Sequence, residues 1–152
     1  MEKAKQFLSV SDEASEVVAR LAVPPRRAGD YPSFYENFSL RGLRVDRVEP
    51  GLVVCSFRDR NGNLAQGAIA NMVDEIGYAV IHVEGIPISV SVNMSISYLS
   101  TAKVNDELEI TSKVLGQKGG YFATIILMRN KATGEIIAEG RHSLFNAHAS
   151  KM

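Results

Sequence analysis

The sequence lacks the features that mark disulfide-stabilised and membrane-spanning chains. One cysteine, Cys55, and no tryptophan occur among its 152 residues. Because a single cysteine cannot form an intrachain disulfide, a reducing compartment is favoured. No stretch of about eighteen apolar residues is present, so the sequence predicts no spanning helix. The opening residues 1–6 lack the apolar segment of a secretory signal peptide.

An excess of either charge is also missing. Seventeen Lys and Arg residues balance seventeen Asp and Glu residues, and the formal net charge is zero. Non-specific nucleic-acid binding requires a concentrated basic patch, so we expect neither nucleic acid nor membrane among the partners. The apolar share of 45% is that of an ordinary globular protein, and the length is typical of one domain.

Familiar catalytic motifs are absent too. The sequence contains no G-x-S-x-G elbow, no glycine-rich nucleotide loop and no Cys/His cluster at metal-ligand spacing. Its histidines are scattered, and we interpret His82 and His142 as structural. Cys55 lies in an apolar segment and is interpreted as a buried thiol. We therefore expect no metal, no bound cofactor and no nucleophilic triad.

Hydrophobic periodicity predicts an α+β fold. Ser11 and Asp12 can cap a short helix that ends before Pro24. Two strands follow within residues 34–57, and apolar residues three or four apart then predict a long, mostly buried helix over 64–82. Four more strands follow, at about 88–98, 108–114, 121–128 and 136–145. This order predicts one helix packed on an antiparallel sheet.

The first of these four strands alternates strictly between apolar and polar residues. Such alternation predicts that Ser91 and Asn93 lie on one face of the sheet, and Met94 and Ile96 on the other. The domain organisation we expect is an N-terminal helix and linker over 1–33, one domain over 34–145, and a flexible tail over 146–152.

The start of the long helix is the strongest candidate for chemistry. A polar, turn-rich loop leads into it, and the free backbone amides of a helix start can hold an oxyanion or a phosphate. Asp74 follows Gly67 by two helical turns. A carboxylate on an apolar helix is costly to bury unless it is paired or solvated. Taken alone, Asp74 fits a catalytic group and a surface acid equally well.

Three segments of the sequence resemble hotdog-fold acyl-CoA thioesterases. They read NGNLAQGAIANMVDE (61–75), SVSVNMSISYL (89–99) and NKATGEIIAEGRH (130–142), and the resemblance extends over about residues 38–145. The similar types are the phenylacetate-pathway enzymes and small eukaryotic thioesterase superfamily members. The resemblance implies a long central helix wrapped by a curved antiparallel sheet of five or six strands.

The resemblance also implies roles for individual residues. Asp74 matches the family's general base or nucleophile. Gln66 and Gly67 match the two glycines of a His-Gly-Gly motif, whose backbone amide holds the thioester oxygen. Ser91 matches a serine that orients the attacking water.

Two departures from the family pattern concern this site. Ala65 stands where the motif has histidine. The preceding loop is short, and Asp59 takes the place of an asparagine, so Asn61 is the candidate to replace that asparagine.

Geometry predicts that the active form is at least a dimer. Gly67 and Asp74 are separated by about 10 Å along one helix, at about 1.5 Å per residue. An oxyanion donor and a base must both lie about 3 Å from the reacting group, so one subunit cannot easily supply both. Two antiparallel helices across a two-fold axis can. The resemblance implies the same arrangement, or a dimer of dimers.

The expected activity is hydrolysis of an acyl-CoA to a free acid and coenzyme A. Three alternatives stay open: a thioesterase for an aromatic, naphthoyl-type CoA, a catalytically weak acyl-CoA-binding module, and a hydratase, although that branch usually carries an Asp-His arrangement on the helix. The phosphates of coenzyme A require cations, for which the candidates are Lys103, Lys118, Arg129, Lys131 and Arg141.

The last three residues, Ser150-Lys151-Met152, are similar to the Ser-Lys-Leu tripeptide that a peroxisomal import receptor recognises. We therefore expect a peroxisomal location with that receptor as a partner, and the cytosol as the alternative.

Overall fold

The computed structural model describes residues 2–21, 38–58, 60, 64–82 and 89–146. They belong to two compact units that divide between residues 37 and 38. The predicted linker and the tail from residue 147, with its terminal tripeptide, lie outside the described residues.

The N-terminal unit contains two short helices, α1 (Glu2–Leu8) and α2 (Asp12–Ala19). Ser11 caps α2 as predicted, because its hydroxyl accepts a hydrogen bond of 3.1 Å from the amide of Ala14. Helix α1 is an element that the sequence pattern did not predict.

The second unit contains a six-stranded sheet and one long helix. The strands are β1 (Arg44–Glu49), β2 (Leu52–Arg58), β3 (Val90–Tyr98), β4 (Glu107–Lys118), β5 (Tyr121–Asn130) and β6 (Ile136–Phe145). Their order is β1-β2-β4-β5-β6-β3, and all neighbours are antiparallel. The helix α3 (Gln66–His82) packs on one face of this sheet. No described helix is long and apolar enough to cross a membrane.

The buried face of α3 follows the predicted spacing. Its buried side chains include Ile69, Met72, Val73, Ile76 and Val80, and they join the even-numbered side chains of β4, β5 and β6 in one core. The helix begins at Gln66, two residues later than predicted, because the carbonyl of Ala65 is the first to accept amides of the helix. The predicted helix-on-sheet packing is confirmed.

The first residues of β3 correct the predicted alternation. A β-bulge between Ser91 and Asn93 shifts the register, so Ser91 pairs with Leu144 and Met94 pairs with His142. Leu144 and His142 both face α3, and paired residues share a face. The prediction that Ser91 and Met94 lie on opposite faces is therefore wrong. The extra residue of the bulge turns Ser91 toward the helix.

Candidate active site

The start of α3 presents backbone amides without internal partners. Ala65 precedes the helix, and its carbonyl accepts from the amides of Ala68 and Ile69 at 3.0 and 3.1 Å. The amides of Gln66 and Gly67 have no acceptor among the described residues. An alanine before the helix has no side-chain oxygen that could cap them. Both amides are thus available to a ligand at the positive end of the helix.

A side chain of β3 holds the peptide group that joins Gln66 to Gly67. The hydroxyl of Tyr98 donates a hydrogen bond of 3.3 Å to the carbonyl oxygen of Gln66. That carbonyl and the amide of Gly67 belong to one planar peptide unit. Tyr98 therefore fixes the direction in which the Gly67 amide points, and polarises it as a donor.

Seven residues further along α3, the carboxylate of Asp74 meets two polar side chains of the sheet. The hydroxyl of Ser91 donates to its Oδ1 at 3.4 Å, and Nε2 of His142 lies 3.3 Å from the same oxygen. Nε2 of His142 is also 2.9 Å from Oγ of Ser91. The side chain of Asp74 remains 47% exposed, whereas that of His142 is fully buried. The carboxylate is thus fixed on the side that faces the sheet, and its exposed side is open to a ligand.

The surroundings of His142 determine where its ring carries the proton. Its buried Nδ1 has no hydrogen-bond partner in the described part of the chain. A proton on Nδ1 would be left without an acceptor, so the neutral ring carries its proton on Nε2 and donates toward Ser91 and Asp74. Burial lowers the pKa of His142, and the charge of Asp74 opposes this only in part. His142 is therefore a neutral donor, not a base.

A glycine on α3 makes room for this histidine. A Cβ atom at Gly77 would lie 2.9 Å from Nδ1 of His142 and 3.0 Å from Cδ1 of Ile126. On the other side, the hydroxyl of Thr124 donates a buried hydrogen bond of 3.0 Å to the carbonyl of His142. The imidazole thus packs against Gly77 of α3, while Thr124 of β5 holds its backbone, and Nε2 lies beside Asp74.

The structure brings together Asp74 and Ser91, and Gly67 lies two helical turns away on the same side of α3. Gly67 and Asp74 project from similar sides of the helix because seven residues are close to two turns. Ser91 joins Asp74 only because of the bulge in β3. Gln66 is exposed at the helix start, and Asn61 lies outside the described residues.

Two of the predicted phosphate-binding cations lie away from this site. Arg129 pairs with Glu109 at 2.6 Å, and Arg141 pairs with Glu139 at 3.3 Å. Both arginines occupy odd-numbered positions of β5 and β6, whose even-numbered side chains face α3. They therefore project from the sheet face opposite to the helix.

The other three predicted cations are not in contact with Asp74 or Gly67 in the described structure. Lys131 pairs with Glu107 at 3.0 Å, beside the end of β5. Lys103 precedes β4, and Lys118 ends it; neither forms an ion pair with a described residue.

His142 belongs to the candidate site, although its sequence pattern favoured a structural role. Two signals were available: His142 ends the third segment of the family resemblance, and its even-numbered position lies on the helix-facing side of a strand. The described residues include no group of His, Cys, Asp and Glu that could hold a metal ion.

Comparison with known proteins identifies the family of this chain. Residues 61–137 match the family model described as the thioesterase superfamily. Human acyl-coenzyme A thioesterase 13 is 38% identical over 101 residues, which span 62% of this chain and 72% of that protein.

Solved structures extend the likeness to the fold. Zebrafish thioesterase superfamily member 2 superposes with a TM-score of 0.70 at 30% identity, over 90% of this chain and 99% of that one. The PaaI protein from E. coli has a TM-score of 0.63 at 16% identity, over 74% and 91% of the two chains, and shares the fold. The chain therefore belongs to the thioesterase superfamily and has the hotdog fold that its sequence predicts.

Proposed function

We propose that this chain hydrolyses acyl-CoA thioesters at a site formed by Asp74 of one copy and the start of α3 of another. The observation that carries the proposal is the half-exposed Asp74 carboxylate, held by Ser91 and His142 on a helix whose first amides have no acceptor among the described residues. Membership of the thioesterase superfamily makes thioester hydrolysis the reaction class. The name of its human relative, acyl-coenzyme A thioesterase 13, supports acyl-CoA as the substrate.

The proposed reaction uses Asp74 as a general base. Its carboxylate takes a proton from water while the water oxygen bonds to the thioester carbon. The carbonyl electron pair moves to oxygen, and the amide of Gly67 stabilises the resulting oxyanion. Collapse of this intermediate breaks the carbon–sulfur bond, and the thiolate of coenzyme A takes the proton back from Asp74.

The hydrogen bonds around Asp74 suit this role. Ser91 and His142 both direct donors at Oδ1, which leaves Oδ2 as the oxygen free to accept the proton of water. Because His142 stays neutral, it orients the carboxylate without forming a full ion pair that would weaken the base. Direct attack by Asp74 is the alternative. A single turnover in ¹⁸O-water tests for direct attack, because label can enter the Asp74 carboxylate only when water opens a mixed anhydride at Cγ of Asp74, whereas the general-base route labels the acid alone.

A homodimer is proposed because one copy lacks half of the site. The amide of Gly67 and the carboxylate of Asp74 are about 10 Å apart along one helix axis. The free edge of β3 offers a surface for a second copy: it is an edge strand with exposed apolar side chains at Val90 (61%) and Val92 (56%). An unpaired apolar edge of this kind is a site for strand pairing.

A mixed-protomer experiment tests the shared site. Gly67→Pro deletes the amide in the first helical turn, and Gly67→Ala retains it as the matched control. Mixing inactive Asp74→Asn with inactive Gly67→Pro should restore about a quarter to a half of wild-type activity, because each mixed dimer has one intact site. Each variant refolded alone should stay inactive. An absence of rescue in mixtures that contain mixed dimers would contradict sharing.

Release of free thiol from short, long and aromatic acyl-CoAs tests the activity itself. Turnover that disappears in Asp74→Asn supports the proposed enzyme. Turnover confined to aromatic esters would favour the aromatic alternative, and binding without turnover would favour an acyl-CoA-binding module.

A further inference from the structure

An apolar pocket of about 880 Å³ opens beside the start of α3. Ala65 and Ala68, which flank the free amides, line one end of it. Phe57, Leu64 and Met72 supply its apolar wall. An acyl chain whose carbonyl oxygen lies on the Gly67 amide would enter this pocket directly.

The charged part of the lining comes from outside α3. Gly42, Phe57, Arg58 and Arg60 line both the pocket and a smaller neighbouring cleft of about 340 Å³. The two spaces therefore adjoin at these residues. The lining from Leu64 and α3 is thus mainly apolar, and the lining that precedes it in the chain includes the charged side chains.

The charge on the part of the lining outside α3 is positive. Arg41, Arg58 and Arg60 line the pocket, and none of its described lining residues is acidic. Arg58 pairs with Glu107 at 2.8 Å, whereas Arg41 and Arg60 form no ion pair with a described residue. Two arginines are thus available to an anion that enters the pocket.

We propose that the preferred acyl group carries a carboxylate at the end remote from the thioester, and that Arg41 and Arg60 bind this carboxylate. The inference rests on the proposed function, because it places the thioester at the start of α3. The phosphates of coenzyme A are a less suitable occupant. The acyl chain and the pantetheine arm leave the thioester carbonyl in opposite directions, so a pocket filled by the acyl chain faces away from the phosphates.

Paired substrates of equal chain length test the proposal. Octanoyl-CoA and suberoyl-CoA differ only in the terminal methyl or carboxylate. The ratio of their kcat/KM values therefore measures the contribution of that terminal group alone. We expect wild-type protein to favour suberoyl-CoA about fivefold or more, since an exposed arginine–carboxylate pair has a modest effect. Arg41→Gln with Arg60→Gln should abolish this preference and leave octanoyl-CoA turnover unchanged. Lys113→Gln removes the charge of an exposed lysine on β4 and is the control for the loss of positive charge.

Calorimetric binding of both esters to Asp74→Asn separates this inference from the proposed function. A preference for suberoyl-CoA that depends on the arginines supports the inference even if no ester is turned over. An equal affinity of Asp74→Asn for the two esters, measured with both arginines intact, overturns it. Equal weakening of both esters in the arginine variant also overturns it, because that result places the phosphates of coenzyme A at Arg41 and Arg60.

Discussion

The two flanks of α3 are built in opposite ways. On the flank beside β3 and β6, Asp74 is held by hydrogen bonds from two side chains, one of them fully buried. On the flank beside β2, an open apolar pocket is lined in part by two arginines without a described ion partner. Fixed polar groups suit a reaction that every substrate shares, and open space suits the part in which substrates differ.

This contrast predicts two classes of variants. Changes on the β3 and β6 flank should lower turnover of all acyl-CoAs by similar factors. Changes on the pocket flank should alter the ranking of substrates and leave the chemistry intact.

The largest expected effect is that of Asp74→Asn. The amide keeps the shape of the side chain but cannot accept the proton of water, so we expect kcat to fall about a thousandfold. The octanoyl-to-suberoyl ratio in the residual activity should stay at its wild-type value. Glu75→Gln, at the next position of α3, is the control and should retain turnover. An altered substrate ratio in Asp74→Asn would contradict the assignment of catalysis to one flank and substrate ranking to the other.

Gly77→Ala tests the packing beneath the cluster. The added Cβ would lie 2.9 Å from Nδ1 of His142, so the ring must move away from Asp74. Overpacking costs about 1–3 kcal/mol and the better helix propensity of alanine returns about 1 kcal/mol, so a small loss of stability is expected. We expect kcat to fall about tenfold for both substrates. Thermal unfolding and steady-state kinetics measure the two effects.

Gly67→Ala is the natural comparison for Gly77→Ala, because no atom lies within 4 Å of a Cβ at Gly67. It should not lower the melting temperature, because the gain in helix propensity meets no steric cost there. Equal destabilisation by the two substitutions would show that the Gly77 packing is not specific.

The long helix and its sheet could be predicted because they depend on local periodicity. The spacing of Ile69, Met72, Val73 and Ile76 reports a buried helix face without knowledge of any other element. The resemblance then identified Asp74, Gly67 and Ser91. The pattern of β3 failed at Ser91, because a bulge arises from pairing with β6 and leaves no mark in the alternation.

His142 and the pocket arginines could not be predicted for a related reason. The role of His142 depends on Gly77 of α3 and Thr124 of β5, which are distant in sequence and meet only in the folded sheet. Arg41 and Arg60 lie on either side of the β1–β2 hairpin, and only its packing near α3 brings them to one pocket. The residues that surround each position in the sequence indicate neither of these spatial contacts.

Tyr98→Phe changes a contact at the start of α3, between the two flanks, and its expected effect is smaller. Loss of the hydroxyl removes the hydrogen bond to the carbonyl of Gln66, and the Gly67 amide becomes a weaker and less fixed donor. Because this donor acts on the oxyanion, kcat should fall about threefold to tenfold while KM stays constant. A change confined to KM would contradict this role. Tyr121→Phe, whose hydroxyl contacts Ser143 on the sheet, is the matched control.

The smallest effect concerns the pH dependence of stability on the β3 and β6 flank. Burial holds the pKa of His142 below its ordinary value of 6.5. As the pH falls below 6.5, the unfolded chain therefore binds a proton that the folded chain does not, and the free energy of unfolding decreases. The stabilisation is fully present above pH 6.5 and declines by at most about 1.4 kcal/mol per pH unit below it. Denaturant unfolding between pH 7.5 and about pH 5 measures this slope. His142→Gln should flatten the slope, since glutamine keeps a donor but does not titrate. An unchanged slope in His142→Gln would mean that the buried ring is not the group that couples folding to pH.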